Sequence, residues 1–324
     1  MKHLIVFNGK AGQEKDVETF KKEIESAFKG LDHGVYETEG PRTVITFLKE
    51  YFKKNTKDVV RVYACGGDGT VHEVANALVG IKNAELAVLA VGTGNDFVKS
   101  YAKSKDYDEI ITNKAGEGRF KDFKALIEGK AEEIDLSKLT SPSLKEPMYS
   151  INVINFGFDA IVGAMGNYYK EHGYPEKAKA KGMSPYDYAL KNDAMKHGRF
   201  NDITVYADEE RLNEKKMLLA TLAQGRFVGG TFLCAPKSDN KDGLIDVCVI
   251  KTMTLIGLGL FIGPYTKGKH LNKPKKKIVY RQAKKIRFES PNEIDVCVDG
   301  EMIKGKTFEV EVCPKAIKFV VPNN

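Results

Sequence analysis

The chain has 324 residues, which exceeds one typical domain and predicts two. Its five cysteines are scattered, odd in number and without CxxC spacing, so the sequence argues against a disulfide framework or a zinc site and predicts a cytoplasmic protein with reduced thiols. No apolar stretch reaches the length of a membrane span, and Leu4–Phe7 is too short for the core of a signal peptide. The net charge of +7 suits nucleic acid, an anionic membrane surface or an anionic cofactor, without selecting among them.

Strand and helix patterns alternate at the start of the chain. Short β-branched and aromatic runs predict strands at Leu4–Phe7, around Val35, at Val59–Tyr63 and at Leu86–Val91. The apolar residues at helical spacing after these strands are Val17, Phe20, Ile24 and Phe28, then Val44, Ile45, Leu48 and Phe52, then Val71, Val74, Ala75 and Leu78. Asn95 or Asp96 can cap a further short helix through Tyr101. The alternation predicts a doubly wound α/β domain with a parallel sheet.

The glycine-rich segment Gly66–Thr70 joins the third predicted strand to the helix that follows it. Its glycines let a ligand approach the backbone without meeting a Cβ atom, and the start of the helix offers free N–H groups to a phosphate. Asp68 would repel a phosphate unless a cation lies between them or the carboxylate positions a hydroxyl group. A tight turn with Asp68 as helix cap is the competing interpretation.

Two more polar, glycine-containing loops follow predicted strands, at Asn8–Gly12 and at Gly92–Phe97. Loops at the carboxyl ends of parallel strands meet at one edge of the sheet, which is where such sheets bind ligands. We therefore expect a ligand that carries phosphate. Neither a P-loop nor a GxGxxG pattern is present, which speaks against an ordinary nicotinamide dehydrogenase.

After about Lys124 the chain becomes rich in strand patterns separated by turn residues. These patterns are Ile134–Leu136, Tyr149–Phe158, Ile203–Ala207, Met217–Ala223, Leu244–Ile250, Val279–Arg287, Ile294–Val298 and Thr307–Val312. A polar, lysine-rich helical insert, residues 167–197, interrupts them. We expect an α/β domain over residues 1–125 and a mostly antiparallel β domain over 126–313, with a strand in 314–324 that could belong to either.

Two acidic segments in this second half have a structural and a chemical interpretation. Asp239–Gly243 clusters oxygen atoms that could hold a hard divalent cation, although a solvated turn explains the same residues. Asp299–Glu301 lies between two alternating apolar runs, and Asp-Gly is a strong hairpin signal. A hairpin turn and a catalytic carboxylate are compatible, since the tip of a hairpin can lean into a cleft.

With these residues the chain resembles the soluble bacterial diacylglycerol kinases, within the wider group that includes the sphingosine and NAD kinases. The motifs that carry the resemblance are Gly66–Thr70, Gly92–Phe97, Asn155–Ala160, Ala235–Pro236, Asp242–Asp246, Gly268–His270 and Asp299–Glu301. They span nearly the whole chain, and the second and last are more specific to lipid kinases than the first. The resemblance implies an N-terminal nucleotide-binding α/β domain, a C-terminal β-sandwich domain and ATP in the cleft between them.

The resemblance also implies roles for individual residues. Those implied to bind ATP are Asn8, Gly9, Lys10, Ala11, Gly12, Thr38, Gly66, Gly67, Asp68, Gly69, Thr70, Val71, His72, Glu73, Thr93, Asn95 and Asp96. Glu301 matches the proton acceptor. The acidic network implied around the reacting phosphate comprises Asp299, Asp68, Asp96 and Asp135. Asp239, Asp242 and the carbonyl of Leu244 match a structural magnesium site.

The implied reaction is transfer of the ATP γ-phosphoryl group to the hydroxyl of diacylglycerol, which gives phosphatidate. Three alternatives stay open: a kinase for another lipid alcohol such as sphingosine, an NAD kinase, and a non-catalytic nucleotide-binding regulatory module. Several positions depart from the family pattern. Gly9 replaces a proline, His72 stands where asparagine is common, and Gln224–Phe227 stands where the family prefers Asn-Gly.

A basic run from Lys267 to Arg287 contains no acidic residue. Each lysine or arginine near an anionic bilayer contributes about 1 kcal/mol, so the run predicts peripheral membrane association of a cytoplasmic protein. Aromatic residues are sparse in it, with Tyr280 alone inside the run, which argues against nucleic acid. The apolar segment just before it, Leu255–Tyr265, is interpreted as a core helix, and a homodimer is left open.

Overall fold

The structure is a computed structural model that describes residues 1–9, 17–40, 42–102, 104, 106–112, 118–214, 216–272 and 277–323. Its strands are β1 Lys2–Phe7, β2 His33–Glu37, β3 Val60–Gly66, β4 Ala84–Ala90, β5 Lys130–Thr140, β6 Met148–Ser150, β7 Val153–Gly157, β8 Thr204–Ala207, β9 Glu210–Arg211, β10 Met217–Ala223, β11 Ile245–Lys251, β12 Ile278–Ala283, β13 Lys285–Val298 and β14 Glu301–Val321. Its α-helices are α1 Val17–Ala27, α2 Thr43–Lys54, α3 Asp68–Leu78, α4 Asp96–Lys99, α5 Tyr107–Thr112, α6 Phe123–Ile127, α7 Phe158–His172, α8 Glu176–Lys179, α9 Pro185–Ala189, α10 Met195–His197 and α11 Leu255–Thr266.

The N-terminal half is the predicted doubly wound α/β unit. Its strands are parallel in the order β2-β1-β3-β4. With the right-handed crossovers that parallel strands adopt, this strand order puts α1 on one face of the sheet and α2 and α3 on the other, and α2 and α3 are in contact. Residues of β3 and β4 are buried throughout because helices cover both faces, which explains their continuous apolar runs. The predicted fold class is confirmed for this half.

The long strand β14 joins the two halves of the molecule. Its first half pairs antiparallel with β13 and its second half antiparallel with β5, while on the other side its end pairs in parallel with β4 at Phe319 and Leu86. The C-terminal strand pattern therefore extends the N-terminal sheet while its start belongs to the C-terminal half. From β14 the sheet continues through β13, β7, β10 and β11 to β12.

The C-terminal half is antiparallel, as predicted, and surrounds a second hydrophobic core in which Phe156 stacks on Phe288 with ring centroids 3.7 Å apart. Two predicted strands are each divided in two. The pattern Tyr149–Phe158 breaks between β6 and β7, and Val279–Arg287 breaks between β12 and β13. The helical insert begins earlier than predicted, at Phe158 with α7.

The apolar helix α11 departs from its interpretation as a core helix. Leu258, Phe261 and Tyr265 are buried, but Ile256 and Leu260 are 79% and 74% exposed. It ends after 12 residues. Among the described residues, no helix combines the length and apolarity that crossing a bilayer requires.

Candidate active site

The polar loops meet at the carboxyl edge of the parallel sheet. The amide of Asn8 donates to the carbonyl of Cys65 and that of Thr38 to the carbonyl of Phe7, so both residues extend the strand ladders at this edge. The loop after β3 and the loop after β4 touch through glycines. A Cβ atom on Gly92 would lie 2.4 Å from the Cα of Gly67, so only glycine allows this approach.

Two aspartates at these loops are linked directly. The amide of Asp96, at the start of α4, donates to Oδ1 of Asp68 over 2.8 Å. The amide of Gly230 donates to Oδ1 of Asp96 over 2.8 Å. The buried ammonium of Lys99 donates to the carbonyls of Gly94 and Gly230 and lies 3.5 Å from Oδ1 of Asp96. The site thus brings two carboxylates and one cation together.

The environment of this pair disfavours full ionisation. Burial, followed by the charge of Asp96, raises the pKa of the Asp68 carboxyl to about 7. Burial also raises the pKa of Asp96, although the neighbouring Lys99 opposes that rise. A cation bound beside Asp68 would favour its charged form. The pair is therefore set up to ionise fully when positive charge arrives with a ligand.

Residues of the C-terminal half contact the same loops. Besides Gly230, Arg226 contributes: its backbone amide donates to Oγ of Ser100 over 2.8 Å, and its guanidinium donates to the Ser100 carbonyl. Tyr107 donates from its hydroxyl to the carbonyl of Thr231. The segment Arg226–Thr231, which carries departures from the family pattern, is therefore fixed against the loop that holds Asp96.

The predicted hairpin at Asp299–Glu301 is present. Asp299 and Gly300 have φ of 50° and 98°, and Val298 pairs with Glu301 across the turn. This is the two-residue turn that Asp-Gly favours. Glu301 is exposed, and no described residue makes a hydrogen bond or ion pair with its carboxylate. The turn therefore leaves Glu301 free for a ligand.

The side chain of Asp299 is buried and turned away from Glu301. Its carboxylate accepts from the amides of Ile151, Asn152 and Val153 at 2.9–3.1 Å and from Oγ of Ser150 at 2.6 Å. These amides cannot also pair in a ladder, which explains why β6 and β7 are separate strands. Nδ1 of His72 lies 2.9 Å from Oδ2 of Asp299, the oxygen that also accepts from the Ile151 amide.

We expect Asp299→Ala to lower the free energy of unfolding by about 3–5 kcal/mol, because the change leaves several buried donors without an acceptor. Ser150→Ala removes one donor from the same network and should cost about 1 kcal/mol. Urea unfolding followed by circular dichroism measures both. A loss below 1 kcal/mol for Asp299→Ala would mean that water satisfies these donors and that the carboxylate does not hold the hairpin.

The remaining residues predicted to bind ATP differ in how exposed they are. Thr93 and Gly69 are exposed at the cleft, whereas the side chain of Val71 is buried in the core. His72 is also buried and bonded to Asp299. Glu73 accepts from the amide of Arg42.

The other predicted ATP ligands either have a further structural explanation or lie outside the described part of the chain. The side chain of Asn95 bonds the backbone of Gly92 instead of capping α4. A Cβ atom on Gly66 would lie 2.2 Å from Oγ1 of Thr70, so glycine there admits the threonine hydroxyl. The residues Lys10, Ala11 and Gly12 lie outside the described residues.

The predicted magnesium loop is an ordered turn. Asp239 and Asp242 accept from the amides of Lys241 and Leu244, respectively. The carbonyl of Leu244 accepts from Nε2 of Gln224 over 3.1 Å. Asp135 is buried and holds this loop, since one of its oxygens accepts from the amide of Gly243 over 2.7 Å.

One buried atom beside this loop is unsatisfied. Oδ2 of Asp246 has no hydrogen-bond partner within the described chain, while Oδ1 accepts from the Tyr280 hydroxyl. Burial raises the pKa of Asp246, and the charges of Asp242 and Asp239 add to the rise. In the described part of the chain, no three His, Cys, Asp or Glu side chains converge as a metal cluster. A cation here would need carbonyl and water oxygens as well.

Sequence reasoning missed Lys99 and Gln224. Lys99 reads as one more surface lysine, but α4 places it three residues after Asp96 and inside the cleft. That spacing is the signal that could have identified it. Gln224 departs from the family pattern in the sequence, but its contact with the Leu244 carbonyl depends on tertiary packing that no local pattern reveals.

Comparison with protein families matches both halves of the chain. Residues 2–139 match the model described as the diacylglycerol kinase catalytic domain. Residues 152–321 match the YegS C-terminal NAD kinase beta sandwich-like domain. The second match alone covers more than half of the chain.

Relatives and solved structures agree with this. The chain is 25% identical to a diacylglycerol kinase of Staphylococcus aureus, over 92% of this chain and 85% of the relative. It is 27% identical to a Klebsiella pneumoniae protein named "Probable lipid kinase YegS-like", over 98% and 95%. A diacylglycerol kinase structure from Bacillus anthracis shares its fold, with a TM-score of 0.66, 20% identity and coverage of 99% and 96%. The chain therefore belongs to the family of the bacterial diacylglycerol kinases and YegS-like lipid kinases.

Proposed function

We propose that this protein is an ATP- and magnesium-dependent kinase that phosphorylates the hydroxyl of diacylglycerol to give phosphatidate. Besides membership of the family, one observation in the structure supports the proposal. The Asp68–Asp96–Lys99 cluster lies where the glycine loops of one half meet the Gly230 loop of the other. Such a site can neutralise and position phosphates, which is most of what phosphoryl transfer requires.

The chain's residues have distinct tasks in this reaction. Free amides of the loops after β3 and β4 bind the ATP phosphates. The lipid hydroxyl oxygen attacks the γ-phosphorus, the bond from that phosphorus to the bridging oxygen breaks, and ADP leaves with the bond's electron pair. Glu301 accepts the hydroxyl proton, for which its exposed and unpartnered carboxylate is suited.

Asp68 is the residue assigned to the magnesium ion that accompanies ATP. When bound, that ion offsets the phosphate charge. Its partner Asp96 keeps Asp68 oriented through the backbone bond described above. We assign positioning roles to Asp299, which holds the hairpin of Glu301, and to Asp135, which holds the loop Asp239–Leu244.

A second, structural magnesium ion is proposed at the loop Asp239–Leu244. The two exposed carboxylates of Asp239 and Asp242 and the Leu244 carbonyl would supply oxygen ligands to a hard cation that keeps most of its water shell. The unpartnered buried oxygen of Asp246 adds negative charge nearby. Such an ion would also relieve the charge repulsion at Asp246.

We expect Mg²⁺ without nucleotide to raise the melting temperature of protein treated with a chelator, by the equivalent of about 3 kcal/mol at 100 times the dissociation constant. Asp242→Asn should remove most of this shift, and Asp32→Asn, an exposed aspartate elsewhere, should leave it intact. Differential scanning calorimetry measures both. An unchanged melting temperature in the parent would refute the structural ion and leave the loop as a turn.

The acceptor is tested by ADP release with a panel of diacylglycerol in mixed micelles, sphingosine, ceramide and NAD. We expect the highest kcat/KM with diacylglycerol. The C-terminal match to an NAD kinase-like sandwich makes NAD the informative competitor. A preference for NAD or sphingosine would overturn the proposed acceptor, and absence of ADP release with every acceptor would favour a nucleotide-binding module.

A further inference from the structure

Helix α11 exposes several large apolar side chains to solvent. Leu255, Ile256 and Leu260 are 49%, 79% and 74% exposed, and Phe200 beside them is 54% exposed. The helix has no charged residue along its length. Scattered exposed apolar side chains are normal, but a contiguous group on one helix face marks an interaction surface. We call these four residues the α11 patch.

The helix that carries the patch is firmly anchored. Thr254 caps its start, with Oγ1 accepting from the amide of Gly257 over 3.1 Å. On the buried face Tyr265 donates from its hydroxyl to Oδ2 of Asp159 over 3.1 Å, and Phe261 packs on the Tyr265 ring. The exposed side chains therefore belong to a rigid element and are held out towards solvent.

Cations surround the patch. A groove of about 610 Å³ beside Ile256 is lined by Arg199 and Lys277. A second of about 610 Å³ beside Leu255 is lined by Lys191, Lys196 and one carboxylate, that of Asp187, which accepts from the Ser184 hydroxyl. Arg199 is fixed by its bonds to backbone carbonyls. No ion pair with a carboxylate involves these four cations among the described residues. An apolar centre with a cationic border complements an anionic lipid surface.

The patch is also connected to the catalytic cleft. The amide of Leu233 donates to the carbonyl of Thr266 at the end of α11 over 2.9 Å. Three residues earlier on the same loop, the amide of Gly230 donates to Asp96. The last residue of α11 is thus linked through the loop Gly230–Leu233 to the carboxylates of the cleft, while the α11 residues of the patch lie in the first half of the same helix.

We propose that the α11 patch and its cationic border are the surface by which this protein docks on an anionic lipid bilayer. The proposal rests on the proposed function, because a bilayer-borne acceptor gives docking its purpose. A second copy of the chain fits the patch poorly. In a symmetric dimer the same patch faces itself, so the cationic borders would meet, and four apolar residues fall short of the 20–30 residues per side that a stable interface typically uses.

The test uses the full chain and vesicles of phosphatidylcholine with 30% phosphatidylglycerol. The protein has no tryptophan, so Leu260→Trp supplies a unique fluorophore. We expect its emission to shift to the blue on these vesicles and brominated lipid to quench it.

In co-sedimentation, Ile256→Gln with Leu260→Gln should weaken partitioning roughly 10- to 100-fold, and Arg199→Gln with Lys277→Gln about fivefold per charge, an effect that salt reduces. The matched control is Leu31→Gln with Val59→Gln, which changes exposed apolar residues of the α/β half and should bind like the parent.

Two results would overturn the docking proposal. One is parent-like vesicle binding by the Ile256→Gln, Leu260→Gln variant with its circular dichroism unchanged. The other is a parent dimer in sedimentation velocity that this variant dissociates while its vesicle binding stays normal, since the patch would then be an interface between copies. Failure of the proposed function looks different. Vesicle binding would then depend on the patch as expected, but no lipid in vesicles or as a soluble short-chain analogue would be phosphorylated.

Discussion

Replacing Glu301 by glutamine should lower kcat by roughly 10²- to 10⁴-fold, the factor that a general base contributes. Glutamine keeps the shape of the side chain but cannot accept the hydroxyl proton. The hairpin should be unaffected, because Asp299 and Gly300 set its turn and Asp299 bonds the residues from Ser150 to Val153. ATP affinity should change little, since the residues assigned to the phosphates lie on the glycine loops.

The matched control is Glu293→Gln, which neutralises an exposed glutamate elsewhere on the same pair of strands. It should keep the activity of the parent. Steady-state kinetics with varied ATP and varied lipid separates the two possible roles of Glu301. A collapse of ATP affinity with kcat retained would show that Glu301 binds nucleotide and is no base.

The second large effect is expected at Asp68, where activity and stability should change in opposite directions. Asp68→Asn should lower kcat by about 10²-fold or more, because a neutral amide is a poor ligand for the magnesium ion assigned to it. Above pH 7 the same variant should have a free energy of unfolding about 1–2 kcal/mol higher than the parent, since ionising Asp68 beside Asp96, away from water, destabilises the folded parent. Opposite signs distinguish a functional carboxylate from one that holds the fold.

The sign of the pH dependence follows from the raised pKa. Folded protein holds the proton of Asp68 up to a pH of about 7, whereas the unfolded chain releases it near 4, so ionisation of this residue lowers the stability of the parent as pH rises through that window. Asp68→Asn should flatten that slope, and Asp32→Asn, an exposed control, should not. Urea unfolding between pH 4 and 8 measures the slopes. An Asp68→Asn variant less stable than the parent at pH 8 would show that the carboxylate is a structural anion.

Most of the N-terminal site could be predicted because its signals are local. Where a strand pattern is followed by glycines and then by the start of a helix pattern, the position of the loop is known. In a parallel sheet such loops lie at the same edge. The contact between Gly67 and Gly92 is the direct consequence, although their separation in sequence hides it. The hairpin at Asp299–Glu301 is likewise predictable from the sequence, since Asp-Gly favours positive φ at both positions.

The rest depends on tertiary contacts. The sequence places Asp299 and Glu301 in one motif, yet the turn sends the first carboxylate into a nest of amides and leaves the second exposed. The side chain of His72 contacts the same carboxylate and so links α3 to the hairpin of the C-terminal half, a contact that no local pattern reveals. Helix α11 is apolar on every side, so its sequence has no period that distinguishes the buried face from the exposed one.

The most direct test follows the phosphoryl group itself. Purified protein is incubated with ATP labelled in the γ-phosphate, Mg²⁺ and diacylglycerol in mixed micelles, with NAD present at equal concentration, and the products are separated. The proposed function predicts label in phosphatidate, in amounts equal to the ADP formed, and loss of that label in the Glu301→Gln variant. Label found in phosphorylated NAD, or only in inorganic phosphate, would contradict the assignment of this cleft to a diacylglycerol kinase.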